Sequence, residues 1–425
     1  MSLDRRNFLK KMAAVQAGAA LSTAAARQTR KPADVIVVGA GAFGGWTAYY
    51  LRQLGASVRV VDAYGPGNSR ATSGDETRGV RSSYGDRGAN AELWGTWANR
   101  AIDRWTKFDA EWGRQMKVRL FFNTGDLIFR SAPEPFTDRT QEVWKKLGIP
   151  FQVLKVDDVR KQYPSFDLTN VNFALYDPRA GVVRARRACE VVAEAFRQSG
   201  GEILMGYAAM GDRSGAVLQN IKTTGPTATL TAGTFVFALG PWFPKAFPDL
   251  MASRIRTPLG HVHYFGTPPG DSRFTDPQMP VWVDYRERLM YGIPGNANRG
   301  FKVADDTAGP AFDPTTGVRD ATPAGIDAAR AFLARRFPAL ANAPLLGSEV
   351  CQYEASPDSH FIVDRHPAAA NVWIAGGGSG HGYKMGPALG EMLASYVLGT
   401  ATPDPQFALA RLAAPPRGGW EEKWS

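Results

Sequence analysis

Residues 35–62 constrain the fold more than any other stretch of the chain. Val35-Ile36-Val37-Val38 is a short β-branched apolar run, the composition of a strand buried on both faces of a parallel sheet. It leads directly into Gly39-Ala40-Gly41-Ala42-Phe43-Gly44. Trp46 to Leu54 then predicts a helix, and Val58-Arg59-Val60-Val61 a second strand ending at Asp62. Each glycine has a mechanical task in such a unit. Gly39 permits the tight turn, Gly41 lets backbone approach a pyrophosphate, and Gly44 lets helix pack on strand. The free amides where the helix begins, at Ala42 and Phe43, then face the phosphates. Asp62, 18 residues after Gly44, stands where a carboxylate can bond ribose hydroxyls. The bland alternative is a glycine-rich turn in some other α/β protein. Strand, helix and acidic residue in the right order point instead to dinucleotide binding, without separating FAD from NAD.

A chain of 425 residues, 44% hydrophobic and 21% charged, can bury a sizeable core in two domains or one large two-part unit. Its two cysteines exclude a disulfide framework. Cys189 reads as an ordinary buried thiol. The net charge of +10 drops to +7 without Met1–Ala26, and the remaining charges are scattered, with no basic run alternating with aromatics. That excludes a nucleic-acid surface and suits an anionic small molecule.

Residues 1–26 read as a targeting segment. Asp4-Arg5-Arg6-Asn7-Phe8-Leu9-Lys10-Lys11 is followed by an alanine-rich apolar stretch and then Thr23-Ala24-Ala25-Ala26. A basic start, a short apolar middle and small residues form the order of a cleavable signal. The paired arginines before Phe-Leu-Lys resemble a twin-arginine signal, so the twin-arginine export machinery is an expected partner. A periplasmic or secreted location follows as an expectation. The apolar stretch is too short for a stable membrane span, which takes about 20 residues.

Further along, helices are expected at Ala89–Trp112, Asp157–Tyr163, Arg184–Gln198 and Asp327–Phe337, and a last one from Pro387 to Leu398. Strands are expected at Glu202–Met205, Thr234–Leu239 and Val372–Ala375, with a strand-rich section from Thr257 to Lys302. Short α/β units flank a mostly antiparallel middle. This predicts a nucleotide domain in separated segments, 33–95, 155–245 and 345–400. A substrate domain of 96–154 and 246–344 is inserted into it, and 401–425 forms a C-terminal tail.

Four segments together are similar to the monomeric sarcosine oxidase and N-methyl amino acid oxidase group of the D-amino-acid-oxidase-like flavoproteins. They are the glycine turn; Thr77-Arg78-Gly79-Val80-Arg81 with Tyr84; Tyr291-Gly292-Ile293-Pro294 with Lys302; and Cys351-Gln352-Tyr353 through His360-Phe361-Ile362-Val363-Asp364 to Gly380-His381-Gly382-Tyr383-Lys384. The resemblance implies an α/β fold, with an FAD-binding Rossmann-like domain built from discontinuous segments and an inserted α+β substrate domain. It also implies FAD bonded covalently through Cys351, with Gly380, His381, Gly382 and Lys384 on the cofactor. Arg81 and Lys384 would hold a substrate carboxylate, Arg78 would lie near the flavin, Tyr291 would line the pocket, and Lys302 would promote reaction with oxygen. The expected reaction is oxidation of an N-alkyl, cyclic or glycated amino acid by hydride transfer. Imine hydrolysis follows, with reoxidation by oxygen to hydrogen peroxide. The alternatives are a dehydrogenase passing electrons to a quinone or carrier, and a non-catalytic flavin-containing binding protein. Two departures stand out. Gly74 and Asp306 occupy places where sarcosine-specific members carry histidines. Gly74 is expected to open space and Asp306 to meet a cation or hydroxyls, so sarcosine is not the expected main substrate.

Overall fold

The computed structural model describes residues 32–285 and 288–412. The targeting segment and the end of the C-terminal tail lie outside them. The opening unit forms as β1 (Ala33–Val38), α1 (Ala42–Gln53) and β2 (Val58–Asp62). The helix starts inside the glycine turn, four residues before Trp46, because Ala42 and Phe43 are themselves buried. β1 lies between β2 and the strand Thr229–Phe237, parallel to both, with Val37 level with Val60 and Val236. Glu202–Met205 extends this parallel core beyond β2, and Ala369–Gly376 pairs along Thr229–Phe237.

The β-branched run explains why β1 is central. Successive side chains alternate between faces. Val35 and Val37 pack with Ala48 and Leu51 of α1 and with Leu389 and Leu393, while Ile36 and Val38 pack with Phe235, Phe237 and Phe243 on the other face. Leu389 and Leu393 belong to the last long helix, Gly382–Val397. That helix begins five residues before Pro387, where sequence alone places its start. The apolar face formed with Met385 outweighs the one hydrogen bond the proline forfeits. Gly390 brings the helix close to α1: a Cβ there would lie 2.5 Å from the Trp46 Cβ.

A second eight-stranded sheet runs in the order Leu345–Gln352, Leu259–Phe265, Phe301–Asp305, Leu289–Ile293, Val281–Tyr285, Asp126–Arg130, Phe173–Asp177, Gln152–Lys155. All its pairings are antiparallel except Val281–Tyr285 with Asp126–Arg130. Phe173–Asp177 and Leu345–Gln352 therefore pair in this sheet, although boundaries at 155 and 345 group them with the nucleotide segments. Which sheet a strand joins is a long-range matter that composition does not encode. A small third sheet joins Arg78–Val80 to Gly181–Val183 and Phe121–Phe122.

Candidate active site

A cleft of about 380 Å³ opens along the carboxyl ends of β1 and β2, the usual ligand position in an open parallel sheet. Gly39, Gly41, Ala42, Phe43 and Asp62 line it. Gly39 has φ +104°, and a Cβ there would lie 2.2 Å from the Ala238 carbonyl oxygen, so glycine is obligatory. Gly44 stays behind the turn; a Cβ on it would lie 2.0 Å from the Gly39 oxygen, and its role is close packing. Asp62 fastens the turn as well as lining it. Its carboxylate accepts from the amides of Ala40 (2.6 Å), Tyr64 (2.9 Å) and Gly65 (2.7 Å).

Across the cleft stand Gly378, Gly380 and Gly382, leading into the helix Gly382–Val397. Glu354 lines the cleft beside them, and burial pushes its carboxyl up to about 8. Its Oε1 has no hydrogen-bond partner among the described residues. His381 sits differently from the expectation. Its ring is buried against Phe361 and bonds the Ser359 carbonyl (2.9 Å) and the Tyr84 hydroxyl (3.3 Å), so it braces the loop and does not line the cleft. Cys189 is buried and its thiol pushed up to about 12, as suits an inert core thiol.

Arg78 and Tyr353 line the cleft and also contact a second group of residues. Arg78 Nη2 lies 3.3 Å from Cys351 Sγ and donates to the Thr72 carbonyl (2.8 Å). Cys351 itself is buried on the strand Leu345–Gln352. Lys302 comes from the strand Phe301–Asp305, is fully buried, and bonds Asp75 and the Thr77 carbonyl (2.9 Å). Its ammonium lies 5.9 Å from the centre of the Tyr291 ring.

Arg81 follows the strand Arg78–Val80, and Lys384 is in the first turn of its helix. Arg81 Nη1 donates to the carbonyl (3.2 Å) and hydroxyl (3.1 Å) of Ser83, and Lys384 Nζ to the Tyr84 hydroxyl (3.2 Å). Burial, then the charges of Arg81 and Arg87, pushes the Lys384 ammonium well down. Two carboxylates answer these cations. Asp306 accepts from the Tyr353 hydroxyl, and burial raises its carboxyl while Arg81 and Lys384 oppose that rise. Asp126 is fully buried with neither oxygen partnered among the described residues, and burial holds it at about 7 against the Arg81 charge. Arg81 and Asp306 lie deep in the molecule yet keep some accessible surface.

Residues 34–396 match the FAD dependent oxidoreductase family, DAO. The chain belongs to this family. Monomeric sarcosine oxidase of Bacillus sp. (strain B-0618) is 28% identical over 369 residues, 86% of this chain and 92% of that protein. N-methyl-L-tryptophan oxidase of Yersinia pestis (strain Pestoides F) is 25% identical, covering 89% of this chain and 99% of that one. Among solved structures, L-proline dehydrogenase from P. horikoshii superposes with a TM-score of 0.76 at 21% identity, covering 90% of this chain and 98% of that one.

The site of this FAD-dependent oxidoreductase fits its cofactor. The cleft is lined by side-chain-free backbone at Gly39 and Gly41, by the start of α1 at Ala42 and Phe43, by the Asp62 carboxylate and by the Arg78 cation. The Ala42 amide is not free as expected, since it donates to the Ser73 hydroxyl (3.0 Å). Another expectation fails. Gly74 opens no space, because a Cβ there would lie 1.7 Å from the Asn68 carbonyl oxygen; glycine lets this turn close on itself. Sequence reasoning also missed Asp75, Asp126 and Glu354. A lone acidic residue outside a motif reads as solvated surface, and nothing local marks these three as buried.

Proposed function

We propose that the chain is an oxidase of a carboxylate-bearing amine, acting on N-alkyl, cyclic or glycated amino acids. The observation carrying this reading is a pair of cations from different elements, Arg81 after the strand Arg78–Val80 and Lys384 in the first turn of Gly382–Val397, near enough that the Arg81 charge acts on the Lys384 ammonium. A guanidinium fork grips a carboxylate in two places and a lysine adds a compact charge, offsetting the cost of burying both. Relatives acting on sarcosine and N-methyl-L-tryptophan support the class of substrate.

With its carboxylate there, the substrate extends toward Asp306 and Tyr353. Asp306 meets the ammonium or the hydroxyls of a bound amine, and Tyr291 packs along it. FAD, when bound, supplies the acceptor for the electron pair leaving the C–H bond next to nitrogen. The resulting imine hydrolyses in water to an amine and a carbonyl compound. Lys302 contributes a fixed positive charge where oxygen takes up electrons on its way to hydrogen peroxide. Arg78, whose Nη2 lies 3.3 Å from Cys351 Sγ, stands beside the thiol that covalent attachment of FAD would use. Export by the twin-arginine route would place the folded enzyme in the periplasm or outside the cell. Among the described residues no helix is long and apolar enough to cross a membrane.

Anaerobic bleaching of the flavin band tests this reading against N-methyl, cyclic and glycated amino acids. Bleaching by one class identifies the substrate, and admitting air should restore the colour with release of peroxide. No bleaching by any carboxylate-bearing amine removes the role of Arg81 and Lys384. Slow recovery in air shows a dehydrogenase. Acid precipitation of the same sample should leave the yellow colour in the pellet.

A further inference from the structure

Lys302 is gripped by a carboxylate that no motif announces. Its Nζ donates to Asp75 Oδ2 at 2.5 Å and to the Thr77 carbonyl at 2.9 Å. Asp75 also accepts from the Tyr264 hydroxyl and pairs with Arg78. Both members are buried, with 4% of Asp75 and none of Lys302 exposed. One carboxylate therefore serves two cations and a phenol at a place without bulk water.

The segment carrying Asp75 is itself held rigidly. Gly74 before it closes against the Asn68 carbonyl, where no side chain fits. The Asp75 and Glu76 carbonyls accept from the amides of Arg186 and Ala185, each at 2.9 Å. A clamp mounted on fixed backbone fixes what it holds.

The surroundings show why a clamp is needed. Lys302 faces Asp75 and Arg78 from one segment, Tyr264 and Tyr291 from two neighbouring strands, and Glu349 and Cys351 from a third. Burial, and then the Arg78 charge, drives the ammonium toward its neutral form, with Cys351 and Glu349 opposing. The direct contact with Asp75 opposes it further.

We propose that Asp75 is a positioning residue that keeps Lys302 charged and fixed beside Arg78. This builds on the reading of Lys302 as the fixed positive charge of the oxygen reaction. Without Asp75, the lysine would sit neutral in the folded protein and lose both its charge and its place.

The test is the melting temperature of the purified holoenzyme against pH, for wild type, Asp75→Asn and Asp75→Asn/Lys302→Met. In Asp75→Asn the folded-state pKa of Lys302, already lowered by burial and the Arg78 charge, falls further below its unfolded value. The unfolded chain then binds a proton that the folded one refuses, and stability drops as pH falls from about 10 to about 7. Wild type should lack this added slope, and the double variant should lose it. An Asp75→Asn profile parallel to wild type, or a slope that survives in the double variant, overturns the proposal. Should Asp75→Asn fail to fold, recovery of folding in the double variant supports it. Failure of both overturns it.

Reoxidation by oxygen gives the second readout. The Asp75→Asn rate should fall about tenfold per pH unit above the lowered midpoint, against a flat wild-type profile. A pH profile parallel to wild type overturns the proposal. Lys302→Met with wild-type reoxidation would remove the role assigned to Lys302, while the melting profiles still judge Asp75.

Discussion

The cleft that begins at Gly39 depends on backbone geometry at its turn, whereas the charged cluster around Arg78 is made of side chains. In the first, six consecutive residues from Gly39 to Gly44 supply the turn, the close approach and the helix start, and their geometry is set by local sterics. In the second, Asp75, Arg78, Arg81, Lys302, Asp306, Cys351 and Lys384 arrive from separate stretches of chain, and each charge is tolerable only because another is near. The difference teaches what each can withstand. A backbone cradle fails when it is filled. A charge pocket fails when one member is removed and its partner is left uncompensated.

Filling the cradle should have the largest effect. Gly39→Ala places a Cβ 2.2 Å from the Ala238 oxygen at φ +104°. Strain and overpacking together cost on the order of 4 kcal/mol. We expect a lower melting temperature and loss of most bound flavin, measured by scanning fluorimetry and by the flavin-to-protein absorbance ratio. A variant with full flavin content would break the comparison at its first side.

Arg81→Met should act on the other side alone. Loss of a charge-assisted fork is expected to raise KM about 10- to 100-fold, roughly 1.4–3 kcal/mol, at unchanged flavin content. Steady-state kinetics with the substrate found by bleaching gives the number. An unchanged KM would mean that the carboxylate is held elsewhere.

The smallest effect probes a carboxyl group that blurs the distinction, Glu354, which lines the cleft and is pushed up by burial. Its folded value of about 8 stands above its ordinary 4.5, so the folded protein keeps a proton that the unfolded chain releases. The stability this contributes is full below about 4.5 and is lost as pH rises through about 8. Glu354→Gln should flatten the melting-temperature profile over that window by a few degrees. A profile parallel to wild type would place Glu354 among ordinary carboxylates.

The two regions also differ in how far they can be read in advance. β1, the glycine turn, α1 and β2 are contiguous, and each choice of residue has a local reason, so their order and even the task of Gly44 are legible. Arg81, Lys302 and Lys384 carry no such local signal. They became candidates through resemblance of whole segments. Asp75 and Asp126 were not candidates at all, since burial is a property of the fold and not of an aspartate. Gly74 shows the opposite error, because a missing side chain reads as space until the Asn68 carbonyl is found in it.

By itself, the sequence determined a parallel β–α–β unit, a nucleotide cleft at its carboxyl end and a set of cations suited to an anion. The unit and its cleft rest on sterics and periodicity within a few residues of one another, while the cations were marked only by the resemblance of whole segments. Tertiary structure alone decided which strands join the second sheet, which carboxylates are desolvated, and that Lys302 is held by Asp75. Such outcomes depend on contacts between distant segments, 227 residues apart for Lys302 and Asp75, and on the loss of water around charges, which no local pattern records.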